Sequence, residues 1–255
     1  MSATVSPQWL ELREPADAAA RSEELAARLR RYLGSDCLAI HDLGGGSGAM
    51  GRWLAPRLAG PQHWVVHDRD AGLLERAAAG APQGVTVETR RTDIARLAPE
   101  DLAGASLVTA SALLDLLSAD ELAAVLRACA GLPMLLTLTV TGHVALAPAD
   151  PLDARLQDAF NAHQRRDGLL GPDAVAVAAI ELRGAACVVR PSPWRLDAGH
   201  AGLMAEWLGG WVAAACEQEP ALAADVGPYQ HRRLVQVAAG KLSVTVDHAD
   251  LLVLP

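Results

Sequence analysis

The chain has 255 residues, with 22 Lys plus Arg against 30 Asp plus Glu and a formal net charge of −8. Hydrophobic residues make up 51% and charged ones 20%, which excludes a disordered chain and suits one large α/β domain with a real core. The acidic balance lacks the electrostatic footprint of a general nucleic-acid binder, and Lys241, the single lysine, confines Schiff-base or phosphate-loop lysine chemistry to one position.

Residues 16–33 place Ala, Leu and Tyr at helical spacing between charges, which predicts one amphipathic helix closed by Gly34. Strand and helix patterns then alternate: a strand over 37–42, a glycine cluster leading into a helix over 50–60, a strand over 63–68 and a helix over 71–80. Strands over 84–90 and 105–111, a helix over 119–131 and a fifth strand over 133–140 follow. Short helices between five strands imply a parallel sheet covered on both faces. The second half is less regular, with helix over 151–183 interrupted around Gly168–Pro172, a sixth strand over 186–190, mainly helical sequence over 198–240 and strand character to the end. No internal repeat or low-complexity linker divides the chain, so a single domain over 1–255 is expected.

Four cysteines, Cys37, Cys129, Cys187 and Cys216, lie far apart without a C-x-x-C pair, which reads as buried thiols in a reducing compartment. No basic stretch followed by an apolar core opens the sequence, and no run reaches the ~18 apolar residues that span a bilayer. A soluble, cytoplasmic chain without a membrane partner is the expectation. Trp207, Leu208 and Trp211 share one apolar helical face, which either packs within the monomer or makes a homodimer contact.

The strongest motif is Asp42-Leu-Gly44-Gly-Gly46-Ser-Gly48, between a strand and a helix. Glycines there let the backbone turn tightly and approach a ligand, and the following helix offers unpaired N–H groups. Three further features are in register with it. Asp68 ends the next strand, where a carboxylate can accept both hydroxyl protons of a ribose, while Asp70 suits the cap of the helix at Ala71. Thr92-Asp93 follows the third strand, where an acceptor can meet an exocyclic adenine amine. Ala110-Ser111-Ala112 gives a floor of small residues after the fourth.

Gly46-Ser-Gly48-Ala-Met-Gly51 also satisfies G-x-G-x-x-G. Against a dinucleotide site, an acid immediately precedes the glycines and another follows the third strand. The Tyr-x-x-x-Lys pair of short-chain dehydrogenases is missing, since Arg233 stands at that spacing from Tyr229.

Asp42-x-Gly-x-Gly-x-Gly48 with Asp68 and Thr92-Asp93 resembles the class I S-adenosylmethionine-dependent methyltransferases, clearly over 16–140 and loosely beyond. The segments WLELREPADAAARS, TASALLDLLSADEL and SPWRLD are similar to those of bacterial small-molecule methyltransferases. The resemblance implies a doubly wound, Rossmann-like α/β fold: a seven-stranded sheet whose last strand is antiparallel. The cofactor-binding core would span 16–140, helical additions on the substrate side 141–240 and the final strand 241–255, with additions also at the N-terminus. By position, Gly44, Gly46 and Gly48 would flank the methionine part of S-adenosylmethionine, Asp68 the ribose and Asp93 the adenine; Asp42, Arg69, Ile94 and Ser111 complete the expected cofactor-binding set, with Ser111 on the floor. The departure is the forty-odd helical residues between the last two strands.

Methyl transfer is an in-line displacement that alignment alone accelerates, and a base matters when the acceptor is a neutral hydroxyl or amine. Asp115 after the fourth strand, His143 after the fifth and His163 on the following helix are the candidate catalytic residues. Each has a structural alternative: a helix-entry residue for Asp115, a loop histidine for His143, a solvated helix face for His163. Arg165 and Arg166, if turned inward, would favour a carboxylate-bearing acceptor. Trp9, Arg13 and Glu14 are placed to cover the site, and Trp194 and Arg195 follow the sixth strand on the ligand side.

The (Asp/Asn)-Pro-Pro-aromatic motif and the Pro-Cys nucleophile of DNA-base methylation are absent, arginine pairs are scattered, and only nine aromatic residues could stack bases. A small-molecule acceptor is therefore expected, with RNA methylation or a non-catalytic S-adenosyl-binding module as alternatives. Aminopropyl transfer would want acidic residues clustered after the fourth strand, which are missing. No metal-ligand spacing occurs, so no metal is expected.

Overall fold

The computed structural model describes residues 6–255. The first five residues, part of the stretch read for a leader, lie outside that range. Two helices open the chain, α1 (Pro7–Ala20) and α2 (Glu23–Leu33), followed by β1 (Leu38–Leu43), α3 (Ala49–Leu54), β2 (Gln62–Asp68), α4 (Ala71–Ala79), β3 (Thr86–Arg91), β4 (Leu107–Ser111) and α5 (Ala119–Ala128). The second half holds β5 (Met134–Ala147), α6 (Asp153–Gln164), α7 (Ala174–Glu181), β6 (Ala186–Pro191), β7 (Trp194–Leu196), α8 (Ala201–Gln218), α9 (Ala223–Ala238) and β8 (Ser243–Leu254).

The sheet runs in the order β3-β2-β1-β4-β5-β8-β6. Strands β1 to β5 are parallel, and β8 is antiparallel to both β5 and β6. This is the doubly wound, Rossmann-like sheet with an antiparallel last strand. An eighth strand, the three-residue β7, was outside the expectation of seven; it pairs with Val244–Val246 on β8. Leu38, Ile40, Leu107, Leu135 and Leu252 pack on α2 and α3 on one face of the sheet, and Val108, Ala110, Leu136 and Leu251 pack on α5 and α7 on the other.

The fifth strand continues seven residues past its expected end at 140, because Val144–Ala147 pair with Ser243–Val246. With β7 this makes an antiparallel flap beyond the ligand end of the sheet, carrying a second core built from α1, α6, α8 and α9. Trp207, Leu208 and Trp211 are buried in that core, within the chain. Among the described residues no helix is long and apolar enough to cross a membrane.

The single helix expected over 16–33 is two helices, and the first begins at Pro7. Arg21 leaves the helical region (ψ 142°), and the Ser22 hydroxyl accepts the Leu25 N–H to start α2. Helical periodicity runs through this break because Ala16, Leu25, Ala26 and Leu29 are all buried. The helix expected over 50–60 ends at Leu54, passing into a 3₁₀ turn that carries Pro56.

One carboxylate fixes the break to the sheet. Asp250, fully buried on β8, accepts the Ser22 N–H at 2.8 Å through Oδ2 and the Leu138 N–H at 2.8 Å through Oδ1. Leu138 sits in a β5 bulge with φ +57°, a conformation costly for a branched side chain, and the carboxylate holds it there. Asp250→Ala leaves two buried backbone donors unpaired and is expected to cost about 2–4 kcal/mol by urea denaturation. A loss below about 0.5 kcal/mol contradicts this anchoring.

Candidate active site

The glycine loop leaves β1 through Asp42. Its carboxylate is buried at the sheet edge, where Oδ1 accepts the Thr109 hydroxyl at 2.7 Å and Oδ2 has no partner. Burial pushes Asp42 up to about 7, against the opposing pull of Thr109 and Arg21. The loop wraps closely around this side chain. A Cβ on Gly45 would lie 2.5 Å from Asp42 Oδ2 and 2.7 Å from Val66, so no other residue fits. Gly44, Gly46 and Gly48 take φ +61°, +53° and +82°.

Backbone bonds lock the loop to β2. The Gly45 N–H donates to the His67 carbonyl at 3.0 Å and the Gly46 N–H to Asp68 Oδ2 at 2.9 Å. Asp68 Oδ1 accepts the Asp70 N–H at 2.9 Å, while Asp70 caps α4 by accepting from Leu73. Asp68 is therefore half-buried at the end of β2 with one backbone donor on each oxygen, and the cap of α4 falls to Asp70. Arg69 beside it is exposed, and its carbonyl accepts from Arg91 Nε at 3.1 Å. Asp93 follows β3, exposed, capping a 3₁₀ turn at Ala95, and Ile94 is buried beneath it. Asp42, the glycines, Asp68 and Asp93 thus line one rim, at the carboxyl ends of β1, β2 and β3.

Helix α1 lies across this rim. Leu10 would meet a Cβ on Gly46 at 3.9 Å, and two ion pairs clamp the helix down: Glu14–Arg52 at 2.7 Å and Glu11–Arg76 at 2.8 Å. Arg52 also donates to the Ser47 carbonyl at 2.6 Å, joining helix, loop and α3, and it holds Glu14 below the usual carboxylate range. Glu14 is thereby held beside the glycine loop through Arg52.

Where α1 ends, Arg21 turns inward. Its guanidinium is almost fully buried, lies 5.5 Å over the Trp53 ring, and donates through Nη2 to Ser111 Oγ at 3.1 Å. Nε and Nη1 have no partner, and burial lowers its pKa. Sequence reasoning missed Arg21, because an arginine before Ser-Glu-Glu looks like an ordinary helix-surface residue. Arg13 sits nearer the mouth, bonded to Asp17 at 2.9 Å and lying 5.1 Å over Trp194 and 5.9 Å over Trp9. Asp17 in turn accepts the Trp194 indole N–H at 2.9 Å.

The three candidate catalytic residues go to different places. Asp115 is buried after β4 with Oδ1 unpaired and raised to about 6 by burial, against the opposing pull of its own backbone N–H and of Arg13. His143 is exposed on the β5 flap, its Nδ1 3.0 Å from Asp247. His163 lies on α6 between Glu217 and Arg166, and Arg165 pairs with Asp173 at 2.6 Å. No hydrogen bond among the described residues joins any two of the three. Arg195 is exposed on β7.

Residues 40–132 match the methyltransferase domain family. The motif, the strand order and the match agree. Over this stretch the chain is similar to a methyltransferase domain. No curated protein matches the chain. Among solved structures, this chain is similar to a cyclopropane synthase from Mycobacterium tuberculosis, at 14% identity over 98% of this chain and 94% of that one, with TM-score 0.49. It is also similar to magnesium protoporphyrin IX methyltransferase from Synechocystis, solved with bound S-adenosylhomocysteine (15%, 76% and 83%, 0.48). A methyltransferase from Geobacter sulfurreducens, also with S-adenosylhomocysteine, gives 15% identity over 98% of each chain and TM-score 0.45.

Beneath the loop, His41 Nδ1 and His67 Nε2 are 3.0 Å apart, and His67 Nδ1 reaches Thr92 Oγ1 at 3.2 Å. Burial, and then the neighbouring His41, lowers His67 to about 4; burial and Arg13 do the same to His248 on β8. An unfolded histidine titrates near 6.5, so the native state binds fewer protons between about 4 and 6.5. Their contribution to stability is complete above about pH 6.5 and is lost as pH falls toward 4. The melting temperature is expected to drop across that window, and less steeply in H67Q; equal slopes in wild type and H67Q contradict the assignment to His67.

Proposed function

We propose that this methyltransferase transfers the methyl group of S-adenosylmethionine to a small-molecule acceptor, and that Asp42 and Arg21 together bind the amino-acid end of the cofactor. The observation that carries this reading is a pair of opposite, buried, incompletely partnered charges. Asp42 presents a bare Oδ2 at the glycine loop, and Arg21 presents bare Nε and Nη1 across from it, over Ser111. A buried charge without a partner costs several kcal/mol, so both call for a ligand carrying both signs. The methionine end of S-adenosylmethionine has an ammonium for Asp42 and a carboxylate for the Arg21 fork.

The remaining anchors follow in order along the rim. Each Asp68 oxygen keeps a second lone pair for a ribose hydroxyl beyond its one backbone donor. Asp93, with one oxygen on its own turn, is free to accept from adenine, and Arg69 and Ile94 flank these two contacts. When bound, the cofactor supplies an electrophilic methyl on a sulfonium, leaving the protein to align acceptor and methyl and to exclude water. Helix α1, clamped by Glu11 and Glu14, excludes water. Asp115 stands beyond Ser111, and its open Oδ1 accepts a hydrogen bond from the acceptor and orients it. His143, exposed, and His163, half-buried, both paired with acids, are left as acceptor contacts at the outer mouth.

Pairing with an ammonium requires ionised Asp42, so binding at a pH below about 7 must release a proton from it. Calorimetry of S-adenosylhomocysteine at pH 6 in buffers of different ionisation enthalpy is expected to show release of close to one proton, falling toward zero by pH 8. Asp42→Asn should abolish the release and weaken binding by about tenfold or more. Proton release unchanged in D42N contradicts the ammonium assignment, and absence of any binding contradicts the cofactor reading itself.

A further inference from the structure

Strand β8 carries a second polar side chain two residues from Asp250, on the same face and further toward the ligand end of the sheet. Asp250 is held beside Leu138, and His248 lies opposite Val140 in the β5–β8 register. Two residues along a strand amount to about 7 Å, which places His248 above the carboxyl ends of β4 and β5. That is where an acceptor must lie if its nucleophile is to face a methyl group held over Ser111.

The imidazole is fixed in one tautomer. Its Nδ1 is 2.9 Å from the Val246 carbonyl, an atom that can only accept, so Nδ1 carries the proton and Nε2 the lone pair. Nε2 has no hydrogen-bond partner among the described residues. The ring packs against Trp194 with centroids 5.3 Å apart, and Trp194 is pinned by Asp17, so the orientation is set by packing and by a hydrogen bond on each neighbour. The charged groups around it are Arg13 and Asp17 from α1 and Asp247 and Asp250 from its own strand; β7 contributes the Trp194 ring and β5 the opposed Val140. Arg13 and burial keep the ring neutral through the physiological range.

We propose that His248 Nε2 is the proton acceptor of the transfer, and that the methyl acceptor is a small molecule reacting through a neutral O–H or N–H group. The inference rests on the cofactor reading above. The acceptor heteroatom forms its bond to the methyl carbon with a lone pair, and the carbon–sulfur pair leaves with sulfur, which becomes a neutral thioether. The O–H or N–H proton, made acidic as its atom is alkylated, passes to Nε2 and from the imidazolium to water. A weak base suffices for a proton that grows acidic during the step, and a neutral ring is ready to accept it. Trp9 and Trp194 beside Arg13, their rings tilted by 59° to one another, give the acceptor apolar surface.

The test uses His248→Asn, whose amide keeps a donor toward the Val246 carbonyl while removing Nε2. Three measurements are made on wild type and variant: binding of S-adenosylhomocysteine by calorimetry, methyl transfer from tritiated S-adenosylmethionine to the small-molecule fraction of a bacterial extract, and histidine ¹⁵N NMR of the wild type at pH 7. Expected are unchanged binding, a fall in transfer on the order of 10²–10⁴-fold in the variant with the wild-type label on oxygen or nitrogen, and an unprotonated Nε2 for His248. Equal transfer by both proteins, label on carbon or sulfur, a protonated Nε2, or wild type that binds but transfers nothing would each overturn the proposal while leaving the cofactor reading standing. Failure of wild type to bind S-adenosylhomocysteine overturns the cofactor reading and the proposal with it. If the variant does not fold, the NMR tautomer and the labelled atom decide.

Discussion

A carboxylate that the fold buries without completing its hydrogen bonds organises the ligand end of this molecule. Asp42 is desolvated by Val66, Thr109 and the glycine loop, and Thr109 supplies its one hydrogen bond while Arg21 opposes its burial at longer range. The requirement for glycine at 45 follows from that side chain, since any Cβ would strike the carboxylate. The loop's path then brings the Gly46 N–H onto Asp68 and the Gly45 N–H onto the His67 carbonyl, so that β1 and β2 offer their carboxyl ends as one rim. In the proposed function a cationic ligand completes this group, and buried groups with perturbed titration cluster at functional sites.

The second half of the chain supplies the other side of the site through one continuous device. The β5 bulge at Leu138, the Asp250 carboxylate and the Ser22 N–H link sheet, flap and helix break, and that break is what points Arg21 inward. The extended β5–β8–β7 flap then carries α6, α8 and α9 as a separate core beyond the cofactor rim. In the proposed function, cofactor chemistry and acceptor chemistry fall to different layers of one sheet, meeting at Ser111, Asp115 and His248.

Most of the cofactor half was legible in the sequence because its signals are local. Alternating apolar runs mark strands, Asp70 and Ser118 cap helices where the residue types say they should, and the glycine motif stands between strand and helix. What escaped was non-local. The break at Arg21 is set by a carboxylate 229 positions away in sequence, and helical spacing continues through it. The extra length of β5 is decided by its partner, since T-G-H-V-A-L-A alternates too weakly to show a strand without β8 beside it. His143 and His163 drew attention because they follow the fifth strand in sequence, whereas the flap turns them outward onto Asp247 and Glu217. His248 and Asp250 stand two apart just before the apolar run Leu251–Leu254 of the closing strand, which places two polar groups on one buried face.

The most direct measurement is a crystal structure of the protein with S-adenosylhomocysteine. The account predicts the ligand ammonium within about 3 Å of Asp42 Oδ2 and its carboxylate on the Arg21 guanidinium, with α1 closed over the glycine loop. A ligand whose amino-acid end lies away from both side chains, leaving Oδ2 and Nε still bare, would contradict it.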